Sequence, residues 1–174
     1  MMKTPLPEIH EAESSDAKEV FAFFGLAAYY SQVLEQELIN IAGVAQLLHK
    51  GPSRELASEL YDLLEEKTFG RLLAAVRAHV EIPSEVDALL AEALKARNYL
   101  AHRFFAEHSE HFVVEVGRAM MIEKLRTFAG EFVAADRRLD EVCDPYFRRL
   151  GITSEVVAEE MAKMMSNAER LGGR

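Results

Sequence analysis

Seven apolar residues, Met121, Leu125, Phe128, Phe132, Ala135, Leu139 and Val142, recur at alternating steps of four and three. An α-helix places residues at that spacing on one face, and an unbroken stripe of this length demands a long surface to cover it. It suits antiparallel packing along another long helix, or a two-helix seam between subunits. Pro145 is expected to end the helix, because proline removes a backbone hydrogen bond and crowds the carbonyl four residues back. The covering surface is at hand earlier in the chain. Val20, Phe24, Ala27, Leu34, Leu38, Ile41, Ala45 and Leu48 follow the same rule, missing one beat at Ser31. Ser15 or Asp16 caps this run and Gly51-Pro52 stops it. Phe21, Phe23, Leu26, Tyr30, Val33 and Leu47 widen its stripe, so burial on more than one side is expected. Glu35 and Glu37 at its centre read as a solvated face.

Shorter helices are expected over 53–67 and 69–80, and a further one from Ser84, beyond Pro83, to about Ala106. A last, Met-rich helix from Thr153 has the stripe Val157, Met161, Met164, Ala168 and Leu171, and packs loosely or crosses onto a partner subunit. Strand-like alternation and internal repeats are absent from the pattern. The expectation is an all-α bundle of five or six helices with a long antiparallel pair. Residues 1–15 form a flexible arm, 16–143 the helical domain and 144–174 a C-terminal helical extension.

With 174 residues, 49% of them hydrophobic, the chain fits one domain with a real core. It has neither a membrane-length apolar run nor a signal-like start, so a cytoplasmic protein without membrane contact is expected. Cys143 is the single cysteine, which excludes an intrachain disulfide and a cysteine-based zinc site. A formal net charge of −9 argues against a protein that coats nucleic acid. It leaves room for an enzyme that grips one phosphate locally.

In the helix beginning at Ser84, the stripe Val86, Leu90, Ala93, Leu100, Phe104 leaves one place to Arg97. A guanidinium there is costly unless paired, since it cannot shed its proton to relieve burial. Asn98 follows directly. His102 falls about 40° from Asn98 and about 140° from Arg97 around the axis, so one wide face carries all three. The spacing of Arg97, four intervening residues and His102, with a polar residue straight after the arginine, resembles the signature of the HEPN superfamily. That resemblance implies a small helical bundle that dimerises so that two motifs face one another. Many members are metal-independent ribonucleases, often toxins or antiviral effectors, and others are binding or scaffolding modules. It therefore implies Arg97, Asn98 and His102 as catalytic residues, no cofactor, a homodimer, RNA as substrate, and an antitoxin or regulatory protein as partner. In HEPN toxins paired with a minimal nucleotidyltransferase, a modified tyrosine stands two residues after the histidine. Here that place holds Phe104.

The residue types suit RNA cleavage. The reaction needs a base for the 2′-hydroxyl proton, an acid for the leaving oxygen and positive charge on the phosphate. Histidine serves the proton steps because it titrates near neutrality. Arginine grips two phosphate oxygens with its planar fork. In the competing reading Arg97 pairs with a buried carboxylate such as Glu35, His102 caps the helix end, and the same face belongs to a module that binds a partner protein or a nucleotide. A third grouping, His102, His108 and His111 with Glu107 and Glu110, reads as a polar helix exit. His108 and His111 would share a metal only if the helix continued and another segment supplied ligands.

One copy of the motif has one histidine, and the two long stripes exceed what a small bundle covers. A stable homodimer at micromolar concentration is therefore expected by sedimentation. Monomer alone at that concentration would remove the composite-site argument.

Overall fold

The longest apolar stripe forms the helix it requires, but against a partner running in the other sense from that expected. The computed structural model describes residues 8–172. Residues 1–7 of the expected arm, and the side chains of Ala168 and Leu171 in the last stripe, lie outside the described residues.

Eight helical segments, and no strand, occur among the described residues. Asp16 caps α1 (Ala17–Lys50) by accepting from the Glu19 amide at 2.9 Å. Gly51 ends it at φ 92°, where a side chain would be strained, and returns its N–H to Leu47. Ser53 caps α2 (Arg54–Glu65) through the Leu56 amide, and α3 (Phe69–Arg77) follows. Pro83 leads into α4 (Ser84–His102), with Glu85 and Asp87 in the first turn, where the helix dipole favours them. Two short pieces, α5 (Phe104–Glu107) and α6 (Ser109–Val113), precede α7 (Glu115–Arg149) and α8 (Ser154–Gly172).

The expected antiparallel long pair is corrected: α1 and α7 run parallel. At one end Arg118 Nε, near the start of α7, donates to the Ser15 carbonyl at 2.7 Å. At the other, Tyr146 and Arg149 share a recess with Ala45, Leu48 and His49. The chain goes out along α1, turns through α2 and α3, and returns along α4, so α7 has to travel in the direction of α1. α4 is antiparallel to both. Arg97 meets Glu35 while the later Phe105 meets the earlier Phe24, and Tyr99 meets Lys124 while Glu92 shares a recess with Glu131.

The core lies between these three helices, with Leu34, Leu38, Leu90, Met121, Leu125 and Phe132 fully buried, and α2 and α3 add Leu64, Leu72 and Leu73. α1 is enclosed broadly, with Ile39 and Val44 buried beside the main stripe. That enclosure also takes in Glu37, which is buried rather than solvated. Ser31 fills its missed beat by donating to the Ala28 carbonyl at 2.8 Å.

Two helix ends depart from expectation. α7 continues through Pro145 to Arg149. Pro145 and Glu141, whose carbonyl the proline leaves without its usual donor, both face solvent, while the buried Cys143 and Phe147 keep the helix on the core. α4 stops at His102, with Arg103 at φ −130°. Past the break, the rings of Phe104 and Phe105 at the start of α5 both pack on Phe24. The described part of the arm lies along α7, where Glu11 pairs with Arg126 and Ile9 and Ala12 rest on the core. Among the described residues, no helix is long and apolar enough to cross a membrane.

α6 presses on the first turns of α7. A Cβ at Gly117 would lie 2.2 Å from the His111 carbonyl oxygen. Arg118 Nη1 donates to the Phe112 and Val113 carbonyls at 3.1 and 3.3 Å, satisfying the end of α6. At Gly130, also in α7, an added Cβ meets nothing within 4 Å. Gly130→Ala should therefore stabilise the protein by about 0.5–1 kcal/mol. Gly117→Ala should destabilise it by about 1–3 kcal/mol or more, as overpacking does. Urea denaturation of the two variants checks the opposite signs.

Candidate functional site

Arg97 stands at the edge of the buried face of α4, outside its centre. The buried positions are Val86, Leu90, Ala93, Ala96 and Leu100, so Ala96 takes the beat expected of residue 97. A helix turning at about 3.6 residues drifts away from a strict seven-residue repeat, and here the drift carries the arginine outward toward α1. Its side chain is 28% exposed and its Nη2 lies 3.7 Å from Glu35 Oε2, on a side chain 22% exposed. Nη1 lies 3.5 Å from Asn98 Oδ1. A close charge-assisted pair has N–O distances of about 2.7–2.9 Å. Both contacts are long, and a guanidinium has five N–H donors. The group is oriented, with most of its donors left over.

Asn98 is exposed beside it. His102, the last residue of α4, is exposed and makes no hydrogen bond or ion pair to another of the described residues. It therefore does not cap the helix. By helical angle it lies on the side of α4 turned away from the core. The structure thus brings Glu35, Arg97 and Asn98 together, and leaves His102 pointing outward on the following turn.

A second cluster forms on the opposite flank of α4. Lys124 Nζ is 3.3 Å from Tyr99 Oη and 4.4 Å from the centre of the Tyr99 ring. Tyr99 Oη is 3.1 Å from His108 Nε2, and His108 Nδ1 is 3.4 Å from His111 Nδ1. Burial, then the Lys124 charge, then His111 hold the His108 ring below its ordinary titration range, against a smaller upward pull from Glu107. Beside it, a shallow recess between α4 and α7 is lined by Glu92, Lys95, Tyr99, Lys124, Phe128 and Glu131. There burial, then Glu92, raises the Glu131 carboxyl above its usual range.

His108 and His111 stand at the helix exit expected from the sequence, whereas no motif marks Lys124. Its only signal is a position flanking the α7 stripe, which gains meaning once α4 is known to lie antiparallel to α7. Among the described residues, no group of three His, Cys, Asp or Glu side chains could hold a metal ion. The Lys124 ammonium, 3.5 Å from His108 Nε2, opposes a divalent cation on that imidazole. Compared with family models, curated proteins and solved structures, the chain matches none.

How firmly Glu35 holds Arg97 decides what Arg97 is free to do. A partly exposed pair at this distance contributes about 0.2–1 kcal/mol. A double-mutant cycle on Arg97→Met and Glu35→Gln, read by urea denaturation, should give a coupling energy in that range. A coupling of several kcal/mol would mark the pair as a structural tie.

Proposed function

We propose that the chain is a metal-independent endoribonuclease of HEPN type, its bundle HEPN-like, with a composite site formed by two copies. The observation that supports it best is an arginine held at the surface with donors to spare, five residues before an exposed histidine with no partner among the described residues. In this reading Arg97 binds two non-bridging oxygens of the scissile phosphate, and Asn98 orients the arginine or the phosphate. His102 takes the proton of the 2′-hydroxyl, whose oxygen attacks phosphorus. The leaving 5′-oxygen receives a proton from the histidine of the second copy. Charge stabilisation comes from the guanidinium fork instead of a divalent ion. An antitoxin or regulatory protein would act by covering the outer side of α4.

A second reading has one observation in its favour. Glu35 supplies Arg97 with a counter-charge within the chain, as expected of a non-catalytic module that uses this face to bind a partner protein or a nucleotide.

Cleavage of single-stranded RNA, measured per folded protein, separates the two. Losing a positioned acid or base costs ~10²–10⁴-fold in rate, so His102→Ala should nearly abolish cleavage. Arg97→Lys keeps the charge and loses the fork, and should be badly impaired as well. Activity should survive EDTA. Equal rates for both variants and the parent chain, after correction for folded fraction, would sink the nuclease reading.

A further inference from the structure

The hydrogen bonds joining Lys124, Tyr99, His108 and His111 have one consistent direction. An ammonium can only donate, so Lys124 Nζ gives a hydrogen to Tyr99 Oη at 3.3 Å. The same ammonium faces His108 Nε2 at 3.5 Å, which is attractive only while that nitrogen holds a lone pair. Tyr99 then donates its own hydrogen to His108 Nε2 at 3.1 Å. With Nε2 accepting, the ring proton of His108 sits on Nδ1, which faces His111 Nδ1 at 3.4 Å and donates to it. The chain of donors thus runs from α7 through α4 to the junction of α5 with α6 and on into α6. The link from Tyr99 requires a lone pair on His108 Nε2, and the link between the rings requires one on His111 Nδ1.

We propose that these four side chains form an acid-opened latch, which fastens the α5–α6 segment to α4 and α7 and releases it when His108 takes up a proton. A proton on Nε2 turns the acceptor of the Tyr99 hydrogen into a donor. It also sets a second positive charge 3.5 Å from Lys124. Groups face His108 from each neighbouring element: Tyr99 from α4, Glu107 from α5, His111 from α6 and Lys124 from α7. Glu107 favours the protonated ring, while burial, Lys124 and His111 oppose it. The sign follows from that balance. His108 titrates below its ordinary range in the closed state, whereas in an opened segment the ring returns to its ordinary value. The latch is at full strength above that value, and weakens as falling pH lets the opened form take the proton that the closed form refuses.

Opening of this kind is local. Arg118 still holds the carbonyls at the end of α6, and Phe21 still packs on Phe105 and Phe112. His102 sits directly before the released segment, so a loosened latch frees the end of α4 that carries it. The effect on cleavage alone rests on the nuclease reading, and the test does not use it.

Amide hydrogen exchange of the full chain, corrected for the intrinsic rate at each pH, reads the latch directly. Protection over residues 104–112 should fall about tenfold or more between about pH 8 and about pH 5, with α1 and α7 holding theirs. Imidazole NMR at the higher pH should find the His108 proton on Nδ1. In His108→Gln, a side-chain carbonyl accepts from Tyr99 and cannot charge, so the pH dependence should disappear. Should that variant not fold, Tyr99→Phe takes its place, with protection already low at the higher pH and a further fall smaller than the parent's. A His108 proton on Nε2, protection indifferent to pH in the parent chain, or a fall as large as the parent's in the variant used would each overturn the proposal.

Discussion

Because α1 and α7 point the same way, the chain has to come back once between them, and α4 is the element that does it. Everything chemical in the molecule is sorted by angle around that returning helix. Its inner line, Val86 to Leu100, is taken up by packing against both long helices. One flank leans on α1 and carries Arg97 to Glu35; the other leans on α7 and carries Tyr99 to Lys124. The outer line, which none of the described residues covers, ends in His102.

The charges divide in a related way. Most ion pairs among the described residues join side chains three or four apart in the chain, as in Glu92 with Lys95, Arg103 with Glu107, and Arg138 with Glu141. Such exposed pairs contribute a few tenths of a kcal/mol each and mainly keep the surface solvated. Arg97 and Lys124 are different. Arg97 reaches across to another helix for a distant carboxylate, and Lys124 reaches for a phenol and two aromatic faces. Two cations thus flank one helix with weak neutralisation, within a chain whose net charge is −9.

Periodicity in the sequence is a statement about faces, and the faces were legible. The stripes of α1 and α7, the cap at Asp16 and the stop at Gly51 all follow from local chemistry that acts without the rest of the fold. Direction is another matter. A stripe looks the same to a parallel and an antiparallel neighbour, so only the length of the intervening connection could have argued for the arrangement found. Pro145 misled because its cost depends on whether the carbonyl it frees meets water, a tertiary fact. Arg97 was placed in the stripe by counting sevens along a helix that turns at its own rate. Its pairing with Glu35 was foreseen as the alternative to catalysis; the looseness of that pairing, on which its availability turns, depends on how closely α1 approaches α4. Lys124 has only its place beside the α7 stripe to mark it, and a lysine beside an apolar stripe is the commonest thing on a helix.

Cys143 lies on the buried side of α7, close to where Tyr146 meets the Glu81 amide at the far end of the bundle. It is the only thiol in a chain without tryptophan. A thiol reagent therefore finds nothing to modify until that end of the molecule opens, and where opening is limiting its rate of reaction measures how often this happens. The far end carries its own chemical reporter, and breathing there can be timed apart from any motion of the α5–α6 segment at the opposite end.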